Sequence, residues 1–538
     1  MEAAIQRIVA SGGVGAEVEA LPPNRHSVKW AKVIDHTRCI GCHACTTACK
    51  SENDVPLSVT RTYVKHVDVG VFPDVRRAFQ VTRCNQCEDA PCVTACPTSA
   101  MYRRTDGIVD FDKNICIGCK ACIAACPYDA IFINPDDHSA EKCNFCAHRL
   151  DIGLEPACVV VCPTEAILVG DLDDSASRVA QIVRAESVRV RRPEKQTLPK
   201  LYYKGAGDAT LDPIAARRPD GGLFMWSEQL RGAQQITSGA PAGWTSSSAA
   251  ALLSYDAPHQ APWGWRVSLY TWTKSIAAGA YLVALLLAAA GVLRGTSPVW
   301  RWGAPGIAAA ALALTGVLLV ADLKHPARFY LIFTRPQWRS WLVRGAFLIA
   351  AYGIVLVLDI LAGIGGRAAL QRGLAIPGAV AAVLTAVYTA FLFAQARARD
   401  LWESPSLGPH LGVQALLAGA AVLVPCAGWL DPTLLRPLLV TVAVVGAAHL
   451  AFVWAEAAGR RVTPHGGLAV HELVGGRYRA AFWFGVAASV LGVLAAGAFG
   501  LGAKMAPGAV AVTAFLALAG LLVYDHAYVQ AGQAVPLA

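Results

Sequence analysis

Residues 116–127 read Cys-Ile-Gly-Cys-Lys-Ala-Cys-Ile-Ala-Ala-Cys-Pro, four cysteines at spacings x2, x2 and x3 closed by a proline. The same spacing occurs at Cys39, Cys42, Cys45 and Cys49. Two variant copies accompany it: Cys84-x2-Cys87-x4-Cys92-x3-Cys96-Pro97 and Cys143-x2-Cys146-x11-Cys158-x3-Cys162-Pro163. Of the 17 cysteines in the chain, only Cys426 falls outside these four groups.

This is the spacing of the bacterial-type [4Fe-4S] run. Three thiolates on a tight loop reach three irons of one cube, and the fourth, at a helix start, crosses to another. Proline after that cysteine suits a first helical position, where no amide hydrogen is needed. Zinc also uses paired C-x2-C, but it gives no reason for a triple-plus-one spacing to recur. Disulfides require an oxidising compartment. Four groups without a substituted ligand position predict four [4Fe-4S] cubes, a set suited to moving single electrons over a distance. His36, His43 and His148 lie near the cysteines and are assigned no role.

Composition divides the 538 residues in two. Up to Arg266 there are 29 Lys+Arg against 30 Asp+Glu, and beyond it 18 against 8, so the net charge of +9 belongs to the second half. A charged fraction of 16% is low for a soluble enzyme. Residues 1–20 display no apolar core, twin arginine or cleavage pattern, so the cysteine-rich half is expected to stay in the cytosol. Domains are expected at 1–30 (extension), 31–170 (clusters), 171–265 (linker), 266–528 (membrane) and 529–538 (tail).

From about residue 30 to 200 the sequence resembles the four-cluster electron-transfer subunit of the dimethyl sulfoxide and polysulfide reductase families, including the lengthened x4 and x11 gaps. The resemblance implies an α+β double ferredoxin-like domain, one fold inserted in the other, pairing group one with four and group two with three. One cube would take Cys39, Cys42, Cys45 and Cys162, and a second Cys143, Cys146, Cys158 and Cys49. The inner two would take Cys84, Cys87, Cys92 with Cys126, and Cys116, Cys119, Cys122 with Cys96.

Residues 166–265 look irregular, punctuated by proline, glycine and serine, with one short helix expected within 173–185, Ile182 and Val183 on its apolar side. Arg189, Arg191 and Arg192 read either as part of a tether or as a docking strip for acidic lipid or a partner. Eight apolar stretches follow, at about 268–293, 303–321, 345–364, 374–396, 411–430, 434–455, 480–502 and 507–524, each near the roughly 20 residues a membrane helix needs. Loops on the N-terminal side hold eleven Lys/Arg against six opposite, which places that side in the cytoplasm of a bacterial-type inner membrane.

Between Pro262 and Leu407 the sequence resembles the NrfD-like membrane subunit of polysulfide reductase, through PWGWRVSLYTWTKSIAAGAYL, ADLKHPARFYLIFTRPQWRSWLVRGAF and AVYTAFLFAQARARDLWESPSL. That resemblance implies an all-α eight-helix bundle exchanging electrons with menaquinone or ubiquinone. Polar groups inside a bilayer are costly and need a reason. Lys274, Asp322, His325, Arg328 and Tyr388 are the candidate quinone residues, all in the half of the bilayer nearer the clusters. Lys274 has snorkelling as its alternative, and Asp322 a pair with Arg344 or Arg328. Asp359, His449, Glu456, Asp525 and His526 are candidate proton carriers.

The reading is a fused electron-transfer and membrane-anchor subunit in a hetero-oligomer. By resemblance its missing partner is a molybdopterin-type (Mo or W) catalytic subunit; lipid and quinone are further partners, and nucleic acid is not. The alternative is a redox-driven proton-translocating module.

Overall fold

A computed structural model describes residues 28–219, 223, 235–236, 239–241, 244, 250–459, 462–502 and 507–538. Most of the expected extension, 1–27, lies outside them, as do Arg460, Arg461 and Lys504 of the charge count.

The strand Trp30–Asp35 is buried along nearly its whole length, as a continuous apolar run should be when both faces are covered. It pairs antiparallel with Ile167–Asp171 on one side and parallel with Leu201–Lys204 on the other. The second pairing draws part of the expected linker into the centre of a sheet, ordered Ile167–Asp171, Trp30–Asp35, Leu201–Lys204, Val188–Arg189. A four-residue strand paired across a long loop leaves no periodic signal, so it reads locally as tether. The short helix is present at Arg178–Ala185, burying Val179, Ala180 and Ile182 against that sheet.

Within this outer fold lies an inner one. Two hairpins, Met101–Arg103 with Val109–Phe111 and Ile131–Ile133 with Ala140–Lys142, surround the second and third cysteine groups. Short helices follow the cysteine loops at Ala44–Glu52, Pro91–Ala95, Ala121–Ala125 and Ala157–Val160. This is the nested ferredoxin-like α+β arrangement expected.

All eight spans are present: Trp265–Ala289, Val299–Asp322, Trp341–Ile364, Ala368–Ala394, Leu407–Leu430, Pro432–Ala458, Arg479–Gly500 and Gly508–Gln533. The last runs nine residues beyond its apolar stretch. Its polar end (Tyr524 to Gln533) is largely buried against the rest of the protein and so stays helical. Spans one to four pack as one group and five to eight as another, joined chiefly where span one meets span five. At that joint a Cβ on Gly279 would overlap the Ala415 carbonyl oxygen, and one on Gly419 would overlap the Gly279 carbonyl group. Glycine is required at both, as close helix packing in lipid demands.

Beyond the last span the polypeptide runs back beneath the iron–sulfur half. Val535, Leu537 and Ala538 are buried. Arg399 donates to the Gln533 and Val535 carbonyls, Arg191 to that of Leu537, and Lys65 to that of Ala538. Residues 534–538 are therefore an interface strap, not an external tail.

Candidate functional site

Glycine and left-handed residues shape the cysteine loops. Gly41 and Gly118, each between the first two cysteines of a group, have φ of +68° and +67°. His43 and Lys120, at φ 59° and 63°, turn the backbone into the helices that carry Cys45 and Cys122. Two small, largely closed pockets result. One is lined by Cys96, Cys116, Cys119 and Cys122. The other is lined by Cys84, Cys87, Cys92 and Cys126. In both, the fourth cysteine comes from the other group, so groups two and three cross over.

Groups one and four are interleaved too. Cys39, Cys45, Cys158 and Cys162 share one apolar cluster. The Asn53 side-chain amide reaches the sulfurs of both Cys49 (3.7 Å) and Cys146 (3.8 Å). Backbone amides of Met101, Ala140 and Ala166 donate to the sulfurs of Cys96, Cys116 and Cys162. Such bonds favour thiolates. Among the described residues no three His, Cys, Asp or Glu side chains gather at the spacing of a single ion. Four sulfurs set around a cavity fit a larger group, and the donor chemistry fits an iron–sulfur cube.

Burial pushes the thiols of Cys45 up to about 11 and of Cys49 and Cys126 up to about 12. Cys158 differs. Burial would raise it as well, but Arg83 and Lys32 hold it down at about 7. The Arg83 guanidinium donates to its sulfur at 2.9 Å and the Lys32 ammonium at 3.7 Å. Sequence reasoning missed both cations. The one available signal was a lysine interrupting the apolar strand run Ala31–Ile34.

The five candidate quinone residues fall into two sets. Asp322, His325 and Arg328 lie on the seam between the halves, beneath the third cysteine group. Asp322 pairs with Lys120 at 2.9 Å, in place of the Arg344 or Arg328 pairing considered from sequence. Arg328 donates to the carbonyls of Lys113 and Cys116, and the His325 amide to that of Ile117. Gly118 permits the approach, since a Cβ there would overlap that of Lys324. The Trp263 indole donates to the Cys119 carbonyl (3.2 Å) and the Ser340 hydroxyl to that of Ala95 (2.9 Å).

Lys274 and Tyr388 come together inside the bundle. Lys274 is fully buried, and its ammonium donates to the Ala386 carbonyl (2.7 Å) and the Thr389 hydroxyl (2.8 Å), 5.2 Å from the Tyr388 ring centroid. It does not snorkel, because span four supplies its acceptors within reach.

The candidate proton carriers also separate. His449 shares a 3.0 Å contact with His410, which sequence reasoning overlooked. The Tyr524 and Tyr528 hydroxyls donate to Glu456. Gln414 donates to Asp525 at 3.1 Å. Asp359 is buried in span three, apart from these, and His526 is half-buried. Arg191 and Arg192 engage the protein's own membrane half: Arg191 holds the Leu537 carbonyl and Arg192 faces Asp400 at 3.5 Å. Neither is available to lipid. Arg189 pairs with Asp208.

Crossed cysteine quartets on nested ferredoxin-like folds, joined to eight membrane spans, define a membrane-anchored iron–sulfur electron-transport protein. Residues 75–172 match the 4Fe-4S dicluster domain, and residues 254–537 match the family described as polysulphide reductase, NrfD. The protein belongs to the NrfD polysulphide reductase family. It is 40% identical over 214 residues to a tetrathionate reductase subunit of Salmonella typhimurium, an alignment covering 38% of this sequence and 84% of that one. A polysulfide reductase subunit of Wolinella succinogenes is 43% identical over 177 residues, 32% of this sequence and 93% of its own. A selenate reductase subunit of Mesobacillus selenatarsenatis is 35% identical over 217 residues, 34% and 74% respectively.

Proposed function

We propose that this protein carries electrons between a separate catalytic subunit and membrane quinone, through four [4Fe-4S] clusters held by the sixteen cysteines in the crossed sets given above. The observation that carries the reading is the seam. The Cys116–Cys122 loop rests on the connection between spans two and three, on the side of the membrane where Lys274 and Tyr388 lie. A cube there would stand between the other cysteine sets and the bundle. Bound cubes supply one-electron transfer; the residues supply insulation, orientation and protons. Burial of most of the sixteen cysteines limits water at the quartets, and Lys120 with Asp322 holds the loop on the bundle. Lys274 and Tyr388 offer N–H and O–H donors to the carbonyl oxygens of a quinone head group.

Relatives named as subunits of tetrathionate, polysulfide and selenate reductases support a reductase catalytic partner, which we assign to the molybdopterin (Mo or W) class. We further infer a bacterial-type inner membrane with the iron–sulfur half on the cytoplasmic side, as the loop charges suggest. Protease accessibility in sealed vesicles of known orientation tests the side. Lys274→Met and Tyr388→Phe test the quinone site: both should slow quinol-dependent cluster reduction with cluster spectra intact, and unchanged rates in both would discard the site.

One observation favours a second reading, redox-driven proton translocation: the buried run His410, His449 and Glu456 with Tyr524 and Tyr528. Proteoliposomes supplied with quinol and an acceptor decide it. A pH gradient beyond the scalar chemistry supports pumping, and its absence excludes it.

A further inference from the structure

Two cations at the Cys158 sulfur have no counterion. Arg83, 2% exposed, ends the strand Asp74–Arg83, and Lys32, 1% exposed, lies in Trp30–Asp35. Among the described residues no carboxylate pairs with either one. Arg83 Nε and Nη2 are buried without a hydrogen-bond partner. The Lys32 ammonium has the Phe145 ring 4.1 Å away on its other side.

Nearby cations are treated differently. Lys120, beside Cys119, is neutralised by Asp322. Arg61 is neutralised by Glu141 at 2.6 Å. Lys142 is buried without a carboxylate, but its ammonium is taken up by the Val109 and Cys143 carbonyls. Only at Cys158, among the described residues, do two buried cations donate to one sulfur. An unpaired ion held out of water costs several kcal/mol, so a fold that keeps two of them needs negative charge beside them. Thiolates bound to a cube provide it, and the idle Arg83 N–H groups need acceptors of that kind.

We propose that Arg83 and Lys32 make the cube of Cys49, Cys143, Cys146 and Cys158 the highest-potential member of the four, the point where an electron entering the protein comes to rest. The inference rests on the four-cluster reading above and deepens it. Reduction adds one electron and one negative charge to a cube, with no bond made or broken. A fixed positive charge at a ligand sulfur stabilises that extra charge, and low local polarity enlarges the effect. Arg83 remains protonated at any working pH, so the bias is permanent. Arg83 also faces Cys45, which gives the neighbouring cube of Cys39, Cys42, Cys45 and Cys162 a smaller shift of the same sign. The membrane-side cube, whose adjacent lysine is neutralised, receives no such bias.

The test is a potentiometric titration of the full-length protein in detergent, followed by electron paramagnetic resonance, with iron measured in every sample. Arg83→Gln should lower the midpoint of the first signal to be reduced by about 59 mV, a tenfold change in its oxidised-to-reduced ratio. Lys32→Gln should move the same signal in the same direction by less. Arg83→Lys, which keeps the charge, should restore most of the loss. The signal from the membrane-side cube should stay in place. Midpoints that do not move at full iron content, or a shift confined to the last signal reduced, overturn the assignment. If Arg83→Gln loses iron, Lys32→Gln decides alone by the same criterion. Wild-type protein without four reducible signals would defeat the four-cluster reading itself, a result distinct from four signals that ignore the substitutions.

Discussion

At the membrane seam, the third cysteine group is covered on its outer side by the protein's own continuation. Gly118 touches Lys324, Trp263 caps the Cys119 carbonyl, and Lys120 is paired with Asp322. Around groups one and four the surface is left open. Cys42 is exposed, and Ile40, Leu57, Ile152 and Val160 are between 57% and 85% exposed. Scattered exposed apolar residues are ordinary, and these four each lie within eight residues in sequence of a cysteine of group one or four. The covered contact combines hydrogen bonds to backbone carbonyls and an ion pair with an apolar cluster in which Ile115 and Ile117 meet Leu331, Ile332 and Val343. The open face carries these apolar side chains beside exposed charged ones, among them Asp151 and Glu155.

The comparison breaks first at the metal. Cys96→Ser should remove or disturb the cube of Cys116, Cys119 and Cys122, with loss of up to about a quarter of the iron and collapse of quinol-dependent reduction of the others. Iron analysis and spectra read it, and damage to the Cys84 cube alone would refute the crossing of groups two and three. Next, Asp322→Asn strands Lys120 on the seam. Removing one partner of a largely buried pair costs about 3 kcal/mol, so thermal unfolding in detergent should fall by several degrees. The double substitution with Lys120→Met should recover much of it. If Asp322→Asn instead slows quinone chemistry at unchanged stability, the residue belongs to the quinone site.

A smaller effect depends on pH. His259 is fixed between Asp129 at 2.5 Å and Asp256 at 3.5 Å, beside the 534–538 strap. Burial alone would discharge the ring, but the two carboxylates keep it protonated up to about 10. Because this lies above the ordinary value of 6.5, the stabilisation is complete below pH 6.5 and fades as pH rises through about 10. Melting temperature should therefore decline between about pH 6.5 and 10, and His259→Gln should flatten that decline. Smallest of all, Leu57→Ser or Ile40→Ser on the open face should change stability by no more than about 0.5 kcal/mol. Both should weaken capture of the catalytic subunit proposed above, and unimpaired assembly would show that the open face is not where it docks.

How much was legible before folding follows from the range of each signal. Sixteen cysteines at fixed spacing announce their chemistry locally, and eight runs of about twenty apolar residues announce theirs. The crossed sets came from family resemblance, and the cavities match them for the inner pair. What stayed hidden was long-range. Leu201–Lys204 is a strand only because Trp30–Asp35 lies beside it. Arg191 and Arg192, an exposed strip by local reading, are buried because residues 400 and 537 fold back to meet them. Asp322 is polar at a span end, which suits a quinone residue and an ion pair equally until Lys120 is seen across the seam. His410 went unnoticed, close to a helix start where polar residues are common, until span six brought His449 to it.

The bare crossing of Gly279 on Gly419 bears on the pumping question. Two helices touching through peptide backbone can roll a little against each other, like shafts without teeth, but have no side chains to ratchet. A transporter that swings one half of its bundle past the other would have to pivot on that bearing. Any residue with a Cβ at either glycine would pry the halves apart, so the joint tolerates no side chain at its point of contact.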